Sequence, residues 1–399
     1  MQKSLDQKLA SIHADTSGCR DFIIADAKDA DMAFGMPGPG VVRQADGSER
    51  FRTLEEFREQ IRSIVRQGIV DIMLMSASTA EQLAMQERLF DQSPITPAVR
   101  ANDTSDIHAM RGSSIPTEGS QPFRTLMLDH AQCGHIDCEQ AERTLGVDLG
   151  LFSVTFNNDR QLDLNTLEAY KAFRVEAERK GFRHFLEVFN PNLPDAVAPE
   201  QMPQFINDVI ARTLAGVTSA GRPVFLKIAY NGPEAMEELV AYDPHLVVGV
   251  LGGSSGTTLD AFMLLSEAKK HGARAALFGR KINNAENQLA FIEFLRLIAD
   301  GVIDPVEAVR AYHAVLEKLN IRPLRSLDED LTLQTNVMSY AGSGTTVSLP
   351  PGAKPQAVST SPGRQSKGKP EDETPNFAGM TSDERLAYHR ARLNRTLGK

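Results

Sequence analysis

Eight short apolar runs, separated by amphipathic stretches, constrain this chain more than any other feature. They lie at Phe22–Ala25, Val70–Met75, Ala98–Ala101, Leu149–Phe156, His184–Phe189, Val224–Tyr230, Leu246–Leu251 and Ala273–Phe278. Helical patterns fall between most of them, at Thr53–Gln67, Thr79–Phe90, Leu164–Lys180, Pro203–Ala215 and Thr258–His271. Two more, Ala285–Asp300 and Pro305–Leu319, follow the eighth run. Short apolar runs bounded by helical segments read as strands of a parallel sheet covered on both faces. Eight such units over about 300 residues suit an α/β fold of the TIM, or (β/α)₈, barrel type. A doubly wound open sheet is the alternative assembly of the same units.

The interval 102–148, between the third and fourth runs, is unusually long. Asp103–Arg124 is read as a loop or insertion on the active-site side, and Arg124–Leu128 as a further strand-like run. The barrel is assigned to residues 21–325, after an N-terminal segment 1–20 and before a polar tail, 326–399. Within that tail, Ala341–Asn376 is of low complexity, rich in Gly, Ser, Thr, Pro and Lys. Such a composition buries too little surface to offset chain entropy, so disorder is expected there. Thr381–Leu397 regains helical character.

Composition excludes several classes of function. With 43 Lys and Arg against 52 Asp and Glu, the net charge of −9 offers no general polyanion-binding surface. No stretch approaches the roughly 20 apolar residues of a membrane span, and the first residues lack the apolar core of a signal peptide. Three cysteines do not make a disulfide framework in 399 residues. A reduced, cytoplasmic protein is expected, with neither nucleic acid nor membrane as partner. Self-association is left open.

The sixth run, Arg222-Pro-Val-Phe-Leu-Lys-Ile-Ala-Tyr230, carries a lysine in its middle. Strand alternation puts Leu226 and Ile228 on one face, suited to packing under helices, and Phe225, Lys227 and Ala229 on the other. Lys227 then points into the barrel near the strand's C-terminal end, where barrel enzymes keep their active sites. Burying an ammonium costs several kcal/mol unless it is paired or loses its proton. A neutral buried amine is a nucleophile toward carbonyl carbon; an amine held in a purely structural ion pair is the other reading. The fifth run, His184-Phe-Leu-Glu-Val-Phe-Asn190, places Glu187 inward on the neighbouring strand. A carboxylate there can pair with the amine at rest and move protons during the reaction.

In the first run Asp26 falls at the C-terminal end and is taken as a site carboxylate, whereas Asp29 and Asp31 are assigned to a solvated loop. Gly35-Met-Pro-Gly-Pro-Gly40 is either a lid or a turn. The seventh and eighth runs end in Gly252-Gly253-Ser254 and Gly279-Arg280-Lys281. Loops after these two strands are the recurrent phosphate site of TIM barrels. Glycines admit an oxyanion to backbone N–H groups, and Arg280 adds charge and a bidentate fork.

His130, Cys133, His135 and Cys138 lie within nine residues. They are compact enough for a tetrahedral zinc but match no common zinc pattern. The reading adopted is a loop leading into a helix over Ile136–Leu145, with zinc as the alternative.

The Phe225-Leu-Lys-Ile-Ala-Tyr-Asn-Gly232 segment, the Gly249-Val-Leu-Gly-Gly-Ser-Ser-Gly256 turn and Ala273-Arg-Ala-Ala-Leu-Phe-Gly-Arg-Lys-Ile282 with its following helix resemble the class I, Schiff-base aldolases of the DeoC/FbaB/LacD group. His184-Phe-Leu-Glu-Val-Phe-Asn-Pro-Asn192 is especially similar to the glutamate-bearing strand of tagatose-1,6-bisphosphate aldolase and its sulfofructose-phosphate relatives. The resemblance covers Asp21 to Pro323. It implies Lys227 as the Schiff-base former, Glu187 as acid and base, and Asp26 as the first-strand carboxylate. It also implies Gly252, Gly253, Ser254, Gly279 and Arg280 as a phosphate cradle. Ala27-Lys28 stands where the family typically has His-Gly or Gln-Arg-Gly after the first-strand Asp.

The expected activity is therefore that of a lyase making or breaking a C–C bond in a ketose phosphate or related hydroxy-ketone. No cofactor and no metal are implied, because the iminium serves as electron sink. Transfer to another acceptor, of the transaldolase or thiolase type, is the nearby variant. A non-catalytic sugar-phosphate-binding barrel is the alternative of another class.

Overall fold

The computed structural model describes residues 1–44, 48–253 and 256–334. Helix α1 (Ser4–Ala14) precedes eight parallel strands. These are β1 (Ile23–Lys28), β2 (Ile72–Met75), β3 (Thr96–Arg100), β4 (Leu149–Thr155), β5 (Arg183–Phe189), β6 (Leu226–Ile228), β7 (Val248–Leu251) and β8 (Ala275–Phe278). Each pairs in parallel with its sequence neighbour, and β1 pairs with β8 through Ile23–Ala275 to Asp26–Phe278, so the sheet closes. All eight apolar runs are barrel strands, and the closure rules out the doubly wound open sheet.

The outer ring contains α2 (Leu54–Gln67), α3 (Arg160–Lys180), α4 (Met202–Ala215), α5 (Pro233–Tyr242), α6 (Thr258–Lys270), α7 (Gln288–Ala299) and α8 (Pro305–Lys318). Local chemistry sets their ends. Thr53 and Thr257 open α2 and α6 with reciprocal capping boxes to Glu56 and Asp260, and Gly68 closes α2 in the left-handed conformation. Helix α5, only ten residues long, was not anticipated; Pro233 starts it, and Met236 and Leu239 bury its inner face.

Two packing layers follow from strand alternation. Ile23, Ala25, Ile72, Leu74, Ala98, Leu149, Leu151, Phe185, Phe225 and Leu277 fill the barrel interior. Ile24, Met73, Val99, Phe152, Leu186, Leu226, Ile228 and Phe278 face the helices. The N-terminal segment, set apart in the sequence reading, belongs to the barrel: Leu5, Leu9 and Ile12 of α1 join the interior cluster and plug its lower end. At that end Asp71 receives Lys8, Arg296 and the Ile24 N–H.

The boundary at residue 326 falls too early, because the chain beyond it stays packed. Asp330 accepts from the Thr258 N–H at 2.7 Å and contacts the His313 ring at 3.0 Å, and Gln334 N–H reaches Asp260. Ala341–Asn376 and Thr381–Leu397 lie outside the described residues.

Three local expectations are corrected. Arg124–Leu128 is not a strand; the ribbon in this interval pairs Asp103–Thr104 with Pro122–Phe123. Leu126 and Leu128 are apolar because they bury against the outer core. The helix expected over Ile136–Leu145 is reduced to a single 3-10 turn, Glu142–Thr144. A short helix instead ends at Cys133, and left-handed Gly134 and Asp137 turn the chain while the Asp129 carboxylate takes the Asp137 N–H. The stretch Thr79–Phe90 begins as α-helix at Ala77 and passes into a wide π turn over Glu81–Gln86.

Candidate active site

Lys227 and Glu187 are register partners on β6 and β5, as are Glu187 and Ser153 on β5 and β4. Two residues below them on the same faces, Phe185 and Phe225 stack with ring centroids 4.5 Å apart and form an apolar floor. On the other side of Lys227 the register partner is Gly249, and beyond it Ala275, so small residues leave room beside the amine. Lys227 Nζ lies 2.5 Å from Glu187 Oε1, with both side chains at most 2% exposed. A buried ammonium beside a buried carboxylate satisfies the demand that interior charge be paired.

The other Glu187 oxygen accepts from Ser153 Oγ at 2.6 Å. Asn102 pins Ser153, accepting its N–H at 2.6 Å and donating to its carbonyl at 2.8 Å. Arg100, at the end of β3 and fully buried, joins the remaining acids. Its Nε donates to Asp29, its Nη1 donates to Ser153 Oγ and lies 3.2 Å from Asp103 Oδ1, and its Nη2 lies 3.8 Å from Glu187 Oε2. Burial pushes the Asp103 carboxyl up to about 7, against the pull of Arg100.

Asp26 stands elsewhere. Its register partners are Phe278 and Met73, both on the helix-facing layer, so it points away from the interior. Lys28, two residues on and on the same side, donates to both its oxygens at 2.9 and 2.8 Å. Burial pushes this carboxyl up and this amine down, each opposed by the partner's charge. The first-strand carboxylate that faces the site is Asp29, which is 1% exposed rather than solvated. The reason is the length of β1: it runs on to Lys28, and alternation from Ile23, Ala25 and Ala27 carries Asp29 inward.

Lys227 and Asp29 line one cavity with Ala27, Gly252, Gly253, Gly279 and Arg280. Ser254 lies outside the described residues. Gly279 is required by close approach, since a Cβ there would sit 2.8 Å from the Ala27 carbonyl oxygen, and Gly253 takes a left-handed φ of +53°. Arg280 is buried, its guanidinium 5.4 Å from the centre of the Phe34 ring. Lys281 donates to the carbonyls of Gly256 and Thr257 at 2.5 and 3.0 Å, which ties the loop after β8 to the loop after β7. Burial lowers its amine to about 8.

Arg100, Ser153, Asp103 and Asn102 were not singled out in the sequence. Alternation from Thr96 and Ala98 would have aimed Arg100 inward, and alternation from Leu149 and Leu151 would have done so for Ser153. Asp103 and Asn102 lie past the strand end, where no periodicity applies.

These features define the class: a closed (β/α)₈ barrel with a buried ionic cluster and a cavity at the C-terminal ends of its strands. Among solved structures, an archaeal fructose 1,6-bisphosphate aldolase superposes with a TM-score of 0.53 at 15% identity, covering 75% of this chain and 100% of that one. A Schiff-base-forming fructose-1,6-bisphosphate aldolase, studied through its reaction intermediates, gives 0.52 at 16% identity, with the same coverages of 75% and 100%. A Corynebacterium glutamicum protein gives 0.50 at 16% identity over 76% of this chain and 99% of that one. At these identities the likeness is one of fold. No protein-family model and no curated protein matches the chain.

Proposed function

We propose that this protein is a Schiff-base-forming aldolase acting on a ketose phosphate or related hydroxy-ketone. The observation that carries the reading is the Lys227–Glu187 pair, 2.5 Å apart, buried, and on inward register-paired positions. Transfer of a proton from Lys227 to Glu187 gives the neutral amine. Nζ adds to the substrate carbonyl; the carbinolamine then loses water as Glu187 returns a proton to the departing hydroxyl. In the iminium, the carbon–carbon bond one atom removed can break, its electron pair flowing to nitrogen while a carboxylate takes the proton of the hydroxyl that becomes an aldehyde. Protonation of the resulting enamine and hydrolysis release the second product and free the lysine.

Arg100 is assigned a positioning role. It links Asp29 to Glu187 and holds the acids against mutual repulsion. Asp29 replaces Asp26 as the carboxylate nearest the substrate. Gly252, Gly253 and Ser254, with Gly279 and Arg280, are assigned to the phosphate, consistent with their place after the seventh and eighth strands. The superposed archaeal enzymes supply a precedent on this fold, one of them described with its catalytic Lys covalently bound to a carbinolamine intermediate. The resemblance of β5 to tagatose-1,6-bisphosphate aldolase favours a ketose phosphate of that kind. No helix among the described residues is long and apolar enough to cross a membrane.

Borohydride trapping tests the reading. Incubation with a panel of phosphorylated and non-phosphorylated ketoses, reduction and mass spectrometry should show one adduct, on Lys227, absent from Lys227→Met. An adduct elsewhere, or none with any ketose, would return the chain to the class of non-catalytic binding barrels.

A further inference from the structure

The loop between the short helix Leu128–Cys133 and β4 gathers metal-ligating side chains that the proposed chemistry does not use. Cys133 Sγ, Cys138 Sγ and a Glu142 carboxylate oxygen all lie within 4.8 Å of one another. His135 Nε2 lies 3.5 Å from Glu142 Oε1. The sequence offered His130 as a candidate fourth group; the fold brings in Glu142 instead.

We propose that Cys133, Cys138, His135 and Glu142 form a structural zinc site. Bond lengths of about 2.3 Å to sulfur and about 2.0–2.2 Å to nitrogen and oxygen put the ligand atoms of a tetrahedral zinc roughly 3.3–3.8 Å apart. Cys133, Cys138 and Glu142 lie within about 1–1.5 Å of that spacing, and His135, in contact with Glu142, completes the set by side-chain rotation. The histidine is oriented for the task. Its Nδ1 lies 2.8 Å from the Ile136 carbonyl oxygen, which as acceptor fixes the proton on Nδ1 and leaves the Nε2 lone pair toward Glu142. Two thiolates, an imidazole and a carboxylate form a soft-to-borderline set that suits Zn²⁺ over Mg²⁺ or Ca²⁺.

The backbone is shaped around the same point. Left-handed Gly134 (φ 88°) and Asp137 (φ 58°) reverse the chain between the two cysteines. The Asp129 carboxylate accepts the Asp137 N–H at 3.1 Å and is itself held by Lys180 at 2.6 Å. Glu139 N–H donates to the second Glu142 oxygen at 3.0 Å. The loop returns to the barrel through Gly146 and Val147, whose N–H groups donate to Gln132 and Ala131 just before β4 begins. It thus sits at the N-terminal end of the strands, where barrel residues serve stability, away from the Lys227 cavity. Four protein ligands leave no open position, so the site has a structural rather than catalytic form.

The test uses the full chain, purified with reduced thiols, stripped by a chelator and titrated with Co²⁺ and then Zn²⁺ against a competing chromophoric chelator. One Co²⁺ per chain should bind with a thiolate-to-metal charge-transfer band and the visible bands of tetrahedral cobalt, and Zn²⁺ should displace it. Cys133→Ser should remove the charge-transfer intensity contributed by that sulfur. His135→Ala and Glu142→Gln alter side chains 55% and 37% exposed, so folding is not at stake. Each should weaken Zn²⁺ binding at least about 10-fold while leaving borohydride trapping at Lys227 unchanged. Two results would overturn the site: no cobalt band in the wild type, or Zn²⁺ affinity unmoved in both exposed variants.

Discussion

Lys227 and Glu187 occupy paired positions on adjacent parallel strands, and their charged ends meet 2.5 Å apart above the stacked rings of Phe185 and Phe225. The two roles assigned to this pair separate on mutation. Glu187→Gln retains the nucleophile and removes the proton carrier. It should still form a trappable adduct, more slowly, with kcat lower by roughly 10²–10⁴-fold. Single-turnover trapping beside steady-state assays would read both quantities; an undiminished kcat would remove Glu187 from the chemistry.

Arg100 is the cation that the remaining buried acids share. Arg100→Ala leaves Asp29 and Glu187 without it in the interior, at an expected cost of about 3–5 kcal/mol. Urea denaturation of the variant would measure the loss. A change within 0.5 kcal/mol would show that the cluster does not depend on this residue.

The inversion of Asp26 and Asp29 is directly testable. Asp26→Ala strands the Lys28 ammonium, fully buried on the outer layer, and should destabilise by about 3–5 kcal/mol; Asp26→Leu with Lys28→Met should recover most of that. Turnover per folded molecule should be unchanged in the double variant. Asp29→Asn should instead reduce turnover. If the double variant folds but loses turnover, Asp26 would return to the site.

Asp103 gives the fold a pH dependence of known sign. Its folded value, about 7, lies above the unfolded 3.8, so between those values the folded chain binds the extra proton. The stability this group contributes is complete below about pH 4 and is lost as pH rises through 7. Asp103→Asn, neutral throughout, should match the wild type near pH 4 and exceed it at pH 8 by up to about 4 kcal/mol. Urea melts across that range would show the gap opening with pH, whereas a constant difference would contradict it.

Arg280 should distinguish substrates by their phosphate. Losing a charge-assisted hydrogen bond costs about 1.5–3 kcal/mol, or roughly a 10- to 150-fold rise in KM. Arg280→Ala should show this rise for the phosphorylated ketose that traps on Lys227 and little change for its dephosphorylated counterpart. Equal effects on both would assign Arg280 to packing against Phe34.

The sequence by itself determined the barrel, because parallel strands covered on both faces must be apolar throughout and the intervening helices must be amphipathic. It also determined that Lys227 and Glu187 point inward, since within a strand the face follows from parity alone. In the first strand Asp26 was chosen for its place near the strand end, whereas alternation aims it at the helix layer and turns Asp29, three residues on, inward. What only the tertiary structure decided were relationships across elements distant in the chain. Arg100 meets Asp29 because β1 and β3 lie one strand apart in the same ring, and Glu142 joins Cys133 and Cys138 because a left-handed turn reverses the loop. Such contacts depend on closure and on backbone turns, and no local period records either.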